Sequence, residues 1–86
     1  MKFEFDPDKD AKNRQKHQLS LGDFAGFDAE PVVVEDDRRD YGEQRFRAFG
    51  LIDGKPHSIA FTTRGSAMRL ISFRRAHVKE LRRYER

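Results

Sequence analysis

The 86-residue chain predicts an α+β domain, with helices packed on one face of a twisted antiparallel sheet. Three observations carry this. Residues 44–74 alternate apolar and polar side chains at the two-residue period of strands. Two-residue turns, Asp53-Gly54 and Gly65-Ser66, divide that region. Proline-started and basic stretches at the two ends carry helical spacing instead. The expected order is a short N-terminal strand, two helices, a four-stranded antiparallel meander and a C-terminal helix packed on the sheet.

Phe3-Glu4-Phe5 alternates and reads as the first strand. Asp6 suits a helix N-cap, and Pro7 suits the first helical position, where a missing N–H costs nothing. This helix runs to about His17 with Ala11 as its only apolar residue. Lys9, Asn13, Lys16 and His17 share one side of it, as in a helix that lines a binding groove or faces solvent. Ser20-Leu21-Gly22-Asp23 resembles a capping box and opens a second short helix whose Leu21, Phe24 and Phe27 share a face. Gly22 and Gly26 weaken that helix, so packing has to hold it.

Pro31 to Val34 is the clearest strand, and the acids after it suit an exposed loop through Tyr41-Gly42. On the next strand Phe46, Ala48 and Gly50 oppose Arg45, Arg47, Phe49 and Leu51. Pro56 begins the following strand, where its missing donor is tolerated; there Ile59 and Phe61 oppose Ser58, Ala60, Thr62 and Arg64. The last strand sets Met68, Leu70, Ser72 and Arg74 against Arg69, Ile71, Phe73 and Arg75. A helix from about Ala76 then brings Val78, Leu81 and Tyr84 together, with Arg82, Arg83 and Arg86 at the negative end of its dipole.

A chain of this length makes one domain, residues 1–86, with a small core. Only 36% of its residues are hydrophobic against 38% charged, so eight Phe rings supply much of the buried area. Cysteine is absent, which excludes disulfides and thiolate metal sites. His17, His57 and His77 lack metal-ligand spacing, and no glycine-rich phosphate loop is present; no metal or cofactor is expected. No apolar run approaches a membrane span and no signal segment opens the chain, so a cytoplasmic protein without membrane contact is expected.

Charge is unevenly spread, although the net is only +3. Residues 28–43 hold seven acids and two bases, whereas Arg64 to Arg86 holds eight Lys or Arg and two acids. This separates a place for a cationic partner from one for an anionic partner. Arginine dominates the basic end, as suits phosphate held by a planar fork of donors. RNA or DNA is the first expectation.

The run Phe5-Asp6, Lys9, Asn13, Lys16-His17 and Leu19-Ser20-Leu21 resembles the opening signature FxWDxxKxxxNxxKHGVSF of the BrnT toxins. Arg45 with Gly50, Thr63-Arg64, the block Arg69 to Ala76, and Glu80 with Tyr84 resemble its later parts. Phe5 stands where the family has Trp, and Gln18 where it has the Gly that ends the first helix. The resemblance implies a RelE-like fold and a metal-independent endoribonuclease toxin of a type II toxin–antitoxin pair. It further implies inhibition of translation and a BrnA-type ribbon-helix-helix antitoxin, through which the pair meets operator DNA.

Such an enzyme drives the substrate's own 2′-hydroxyl onto the adjacent phosphate, and must align the attack, stabilise added negative charge and move protons. Arg64 and Arg74 are the candidates for charge stabilisation, and Lys16 or His17 for proton transfer. Arg45, Arg69 and Arg75 are candidates to follow the RNA backbone, and Tyr84 to stack on a base or shuttle a proton. Each has a plainer alternative. His17 also suits a solvated helix end, Arg74 and Arg75 suit ion pairs with the acidic middle, and Tyr84 suits the core. Glu80 is expected to fix a neighbouring arginine. Two other functions stay open: a nucleic-acid-binding module that leaves its ligand intact, and a protein-interaction domain whose basic face meets an acidic helix.

Overall fold

A computed structural model describes residues 2–84, apart from the Tyr84 side chain. Arg86, expected at the end of the closing helix, lies outside the described residues. The elements are β1 (Lys2–Phe5), α1 (Pro7–His17), a 3-10 turn (Leu21–Asp23), β2 (Val32–Asp36), β3 (Arg45–Ile52), β4 (Lys55–Arg64), β5 (Ala67–Arg75) and α2 (Val78–Tyr84). The α+β class holds. The five strands form one mixed sheet in the order β1-β5-β4-β3-β2, antiparallel except where β1 runs parallel to β5.

Local chemistry sets the ends of α1. Asp6 accepts the Asp8 N–H at 2.9 Å and Pro7 takes the first position. The helix leaves through Gln18 in the left-handed region (φ 59°), whose N–H reaches the Arg14 carbonyl at 2.9 Å. Asp53 and Gly54, both at positive φ, make the β3–β4 hairpin turn.

Three expectations are corrected. The second helix is a single 3-10 turn, because Phe24 is already extended (φ −75°, ψ 120°). Ser20 still caps it through Gly22, but Asp10 of α1 takes the Leu21 N–H at 2.7 Å and the Ser20 hydroxyl at 3.0 Å. The turn is thus tied to α1 and drops Leu21 and Phe24 into the core. Second, β5 does not alternate simply. A bulge opposite Ala60/Phe61 sets Phe61 against Leu70 and Ala60 against Ser72, so Ile71 is the extra residue. Leu70 and Phe73 thereby both reach the core, while Arg69, Ser72 and Arg74 share the other face.

Third, the helices occupy opposite faces. The main core of Leu21, Phe24, Ala48, Ile59, Phe61, Leu70 and Phe73 lies under α1 and the 3-10 turn. Phe49, also buried, points the other way, and Leu81 of α2 borders the same hollow as Phe49, Leu51 and Val32. Full burial of a ring of this kind contributes about 1.5–3 kcal/mol, enough to draw a short helix onto that face. Of the stripe Val78, Leu81 and Tyr84, Leu81 packs; Val78 stays exposed, and the Tyr84 side chain is outside the description. Gly50 lets Phe27 lie flat on β3, since a β-carbon there would stand 2.7 Å from Phe27 Cδ1.

Candidate nucleic-acid interface and active site

Asn13 positions the C-terminal end of α1. Strand β1 stops opposite Leu70, which leaves that edge of β5 open at Phe73, whose other side pairs with β4. Asn13 replaces that strand: its Nδ2 donates to the Phe73 carbonyl at 2.9 Å, and its Oδ1 accepts the Phe73 N–H at 2.9 Å. Nδ2 also donates to the Leu19 carbonyl at 2.8 Å. A polar helix with little apolar face is therefore docked by one buried amide. Lys9, Lys12, Lys16 and His17 then border a hollow of about 160 Å³ whose floor is the bulged Ile71 and Ser72.

His17 is half-buried at this rim. Burial, then the charges of Lys16 and Arg74, lower its pKa below the ordinary 6.5, which keeps the imidazole neutral near pH 7. A neutral imidazole beside cations can accept a proton. Arg74 is held from the other side by Glu80 of α2 through Nη1 at 3.0 Å and Nη2 at 2.7 Å. That fork raises the Arg74 pKa and holds the Glu80 carboxyl down to about 2. Glu80 Oε1 also accepts the His77 N–H at 3.1 Å, so one carboxylate caps α2 and aims Arg74.

The sheet face around Arg74 is lined with arginine. Arg74 is opposite Ser58, Arg47 opposite Ala60, Arg69 opposite Thr62, and Arg45 opposite Asp36. Carboxylates at the margins steady three of these cations: Glu43 on Arg45 at 3.0 Å, Glu4 on Arg69 at 3.6 Å, and Glu80 on Arg74. Arg45 also lies 4.2 Å from the Tyr41 ring centre, and Arg47 lies 5.5 Å from that of Phe49.

The acidic loop after β2 is pinned to this face. Buried Asp36 accepts from Arg38 Nε at 2.7 Å, Arg38 Nη2 at 2.9 Å and the Tyr41 hydroxyl at 3.3 Å. The Arg38 hydrogen bond leads in holding the Asp36 carboxyl down to about 2. The Arg38 charge is near enough to Arg74 to oppose its protonation, so Arg38 belongs to the same cationic field.

Lys16, His17 and Arg74 are thus brought together, and Arg69 and Arg45 share the face of Arg74. Arg64 is not at that centre. It is exposed, opposite Ala67 at the hairpin end, and the run from Ala67 to Arg74 places it roughly 20 Å away along the strand. Arg75 is exposed opposite His57, on the far face from Arg74. The backbone of Tyr84 closes α2, and its side chain lies outside the description. Arg47, Arg38 and Lys12 join the site without having been named as site candidates, and Lys9 joins it from the side of α1 read as groove-lining. The strand alternation already placed Arg47 beside Arg45; nothing local marks Arg38, whose role depends on a loop folding back. Among the described residues no cluster of three or more His, Cys, Asp or Glu could hold a metal ion. No helix among them is long and apolar enough to cross a membrane.

Residues 5–80 match the family model described as the ribonuclease toxin, BrnT, of type II toxin–antitoxin systems. No curated protein matches the chain.

Proposed function

We propose, from the premise that this chain belongs to the BrnT family of ribonuclease toxins of type II toxin–antitoxin systems, that it cleaves RNA without a metal at the His17–Arg74 end of the arginine face. The neutral His17 imidazole takes the proton of a ribose 2′-hydroxyl. The 2′-oxygen bonds to the adjacent phosphorus, the bond from phosphorus to the 5′-oxygen breaks, and that oxygen takes a proton from the Lys16 ammonium. The products are a 2′,3′-cyclic phosphate and a 5′-hydroxyl. Arg74, aimed by Glu80, meets the negative charge that grows on the phosphoryl oxygens. Arg69, Arg45 and Arg64 bind the flanking phosphates, with Arg64 at the far end of the track.

The observation that carries this reading is the placement of Lys16 and His17 on the rim of an open hollow floored by Ile71 and Ser72, two residues along β5 from Arg74. The cellular outcome is arrested translation in the cytoplasm. A BrnA-type ribbon-helix-helix antitoxin relieves the arrest and carries the pair to operator DNA. Purified chain incubated with RNA in EDTA should yield fragments ending in cyclic phosphate. His17→Ala and Arg74→Ala should each slow cleavage by about 100-fold or more. Wild-type rates in both variants would rule out this site.

A further inference from the structure

The sheet face opposite the arginines carries an apolar groove that the proposed chemistry does not use. It encloses about 310 Å³ between Phe3, Phe24, Phe27, Val33, Phe61 and Met68, and among the described residues the Thr63 hydroxyl is the one polar side chain on its wall. The groove is open: Val33 is 52% exposed and Phe3 36%. It runs out to β2, whose outer edge has no partner strand among the described residues.

The segment that supplies half of its wall carries charge of one sign. Residues 18–37 contain Asp23, Asp28, Glu30, Glu35, Asp36 and Asp37 and no Lys or Arg. The same segment supplies Phe24, Gly26, Phe27, Pro31 and Val33 to the groove wall. Asp28 and Asp36 have internal work, capping the Asp53-Gly54 turn and holding Arg38. Exposed Glu35 stands two residues beyond Val33 on the same side of β2, at the groove margin. Apolar walls with an acidic rim favour a segment whose apolar side chains are flanked by Lys or Arg.

We infer that this groove is where the antitoxin docks, seating a row of apolar side chains between basic residues against β2, on the sheet face away from Arg74. The inference rests on the reading that an antitoxin binds this chain, and it places that contact apart from the arginine face.

The test measures binding, so it is independent of whether the chain cleaves RNA. The purified chain is titrated with its antitoxin by calorimetry at several salt concentrations. Val33→Glu should weaken binding by about tenfold or more, because it sets a carboxylate in the apolar contact. Glu35→Lys should weaken binding several-fold and flatten its salt dependence. Both positions are exposed, so thermal midpoints should stay near wild type, and RNA cleavage by the free variants should match wild type. Hydrogen exchange on the wild-type complex, which needs no variant to fold, should show slowed amides at residues 24–27 and 33–35. Wild-type affinity in both variants overturns the inference, all the more if Arg69→Ala loosens the complex. So does a wild-type homodimer that Val33→Glu disperses, since a second copy would then fill the groove.

Discussion

Replacing Asn13 by alanine strips the open edge of β5 of its only substitute strand. Three groups lose a partner: the Phe73 N–H, the Phe73 carbonyl and the Leu19 carbonyl. The side chain is buried, at 4% exposure, so water does not simply replace it. Each buried polar group left unpaired costs about 1–3 kcal/mol, with the part-buried Leu19 carbonyl at the low end. These losses share one site and do not add fully, and alanine returns about 0.5 kcal/mol of helix propensity. The net loss is about 2–3 kcal/mol, against a total of roughly 4–13 kcal/mol for a domain of this size. The thermal midpoint should fall by about 10–20 °C. Asn13→Asp should be at least as harmful at neutral pH, because it turns a carboxylate toward two carbonyl oxygens; acid should narrow its deficit as the new carboxyl gains a proton. Urea unfolding gives the free energy, and exchange of the Phe73 amide reports the edge directly. A loss below about 1 kcal/mol, with that amide still protected, would refute the account of how α1 is docked.

The other predictions concern charge and helix exit. Glu80 and Asp36 have carboxyls held at about 2, from ordinary values of 4.5 and 3.8. A depressed folded-state pKa adds stability that is complete above the unfolded value and lost as pH falls toward the folded one. Unfolding free energy should therefore drop from about pH 4.5 to about 2, and Glu80→Gln or Asp36→Asn should flatten that slope; slopes unchanged from wild type would contradict the assignment. The His17 imidazole should titrate below 6.5 by NMR, because burial and two cations oppose its charge, and Arg74→Met should move the midpoint upward. An unmoved midpoint would separate Arg74 from the α1 terminus. Gln18 occupies a left-handed backbone conformation that costs a side-chain-bearing residue about 1–2 kcal/mol. Gln18→Gly should raise stability by about 0.5–1 kcal/mol in chemical denaturation, net of the extra freedom glycine has when unfolded.

Local rules made much of the fold readable. Asp6-Pro7 starts a helix, Asp53-Gly54 and Gly65-Ser66 turn hairpins, and alternation on β3 and β4 separates Phe46, Ala48, Ile59 and Phe61 from the arginines. Those are near-neighbour properties of backbone and side-chain period. The same rules failed on β5, where one inserted residue, Ile71, reverses every later side chain. They also overextended the Ser20 cap into a helix. The partner of the Leu21 N–H is Asp10, eleven residues earlier, and such a contact has no local signature.

What the sequence determined by itself is the chemical inventory: arginines at alternate strand positions, a basic α1 terminus ending in Lys16-His17, and an acidic stretch without a base. Only the tertiary structure decided which of these meet. Asn13, which lies on the Lys9–His17 side of α1, is spent on the Phe73 backbone and so brings His17 to Arg74. The β5 bulge leaves Arg69 and Arg74 on one face, Arg75 on the other, and Arg64 a strand's length away. The reason is physical: composition and period set what each residue prefers, whereas register, bulges and long-range hydrogen bonds set the direction it faces and the neighbour it finds.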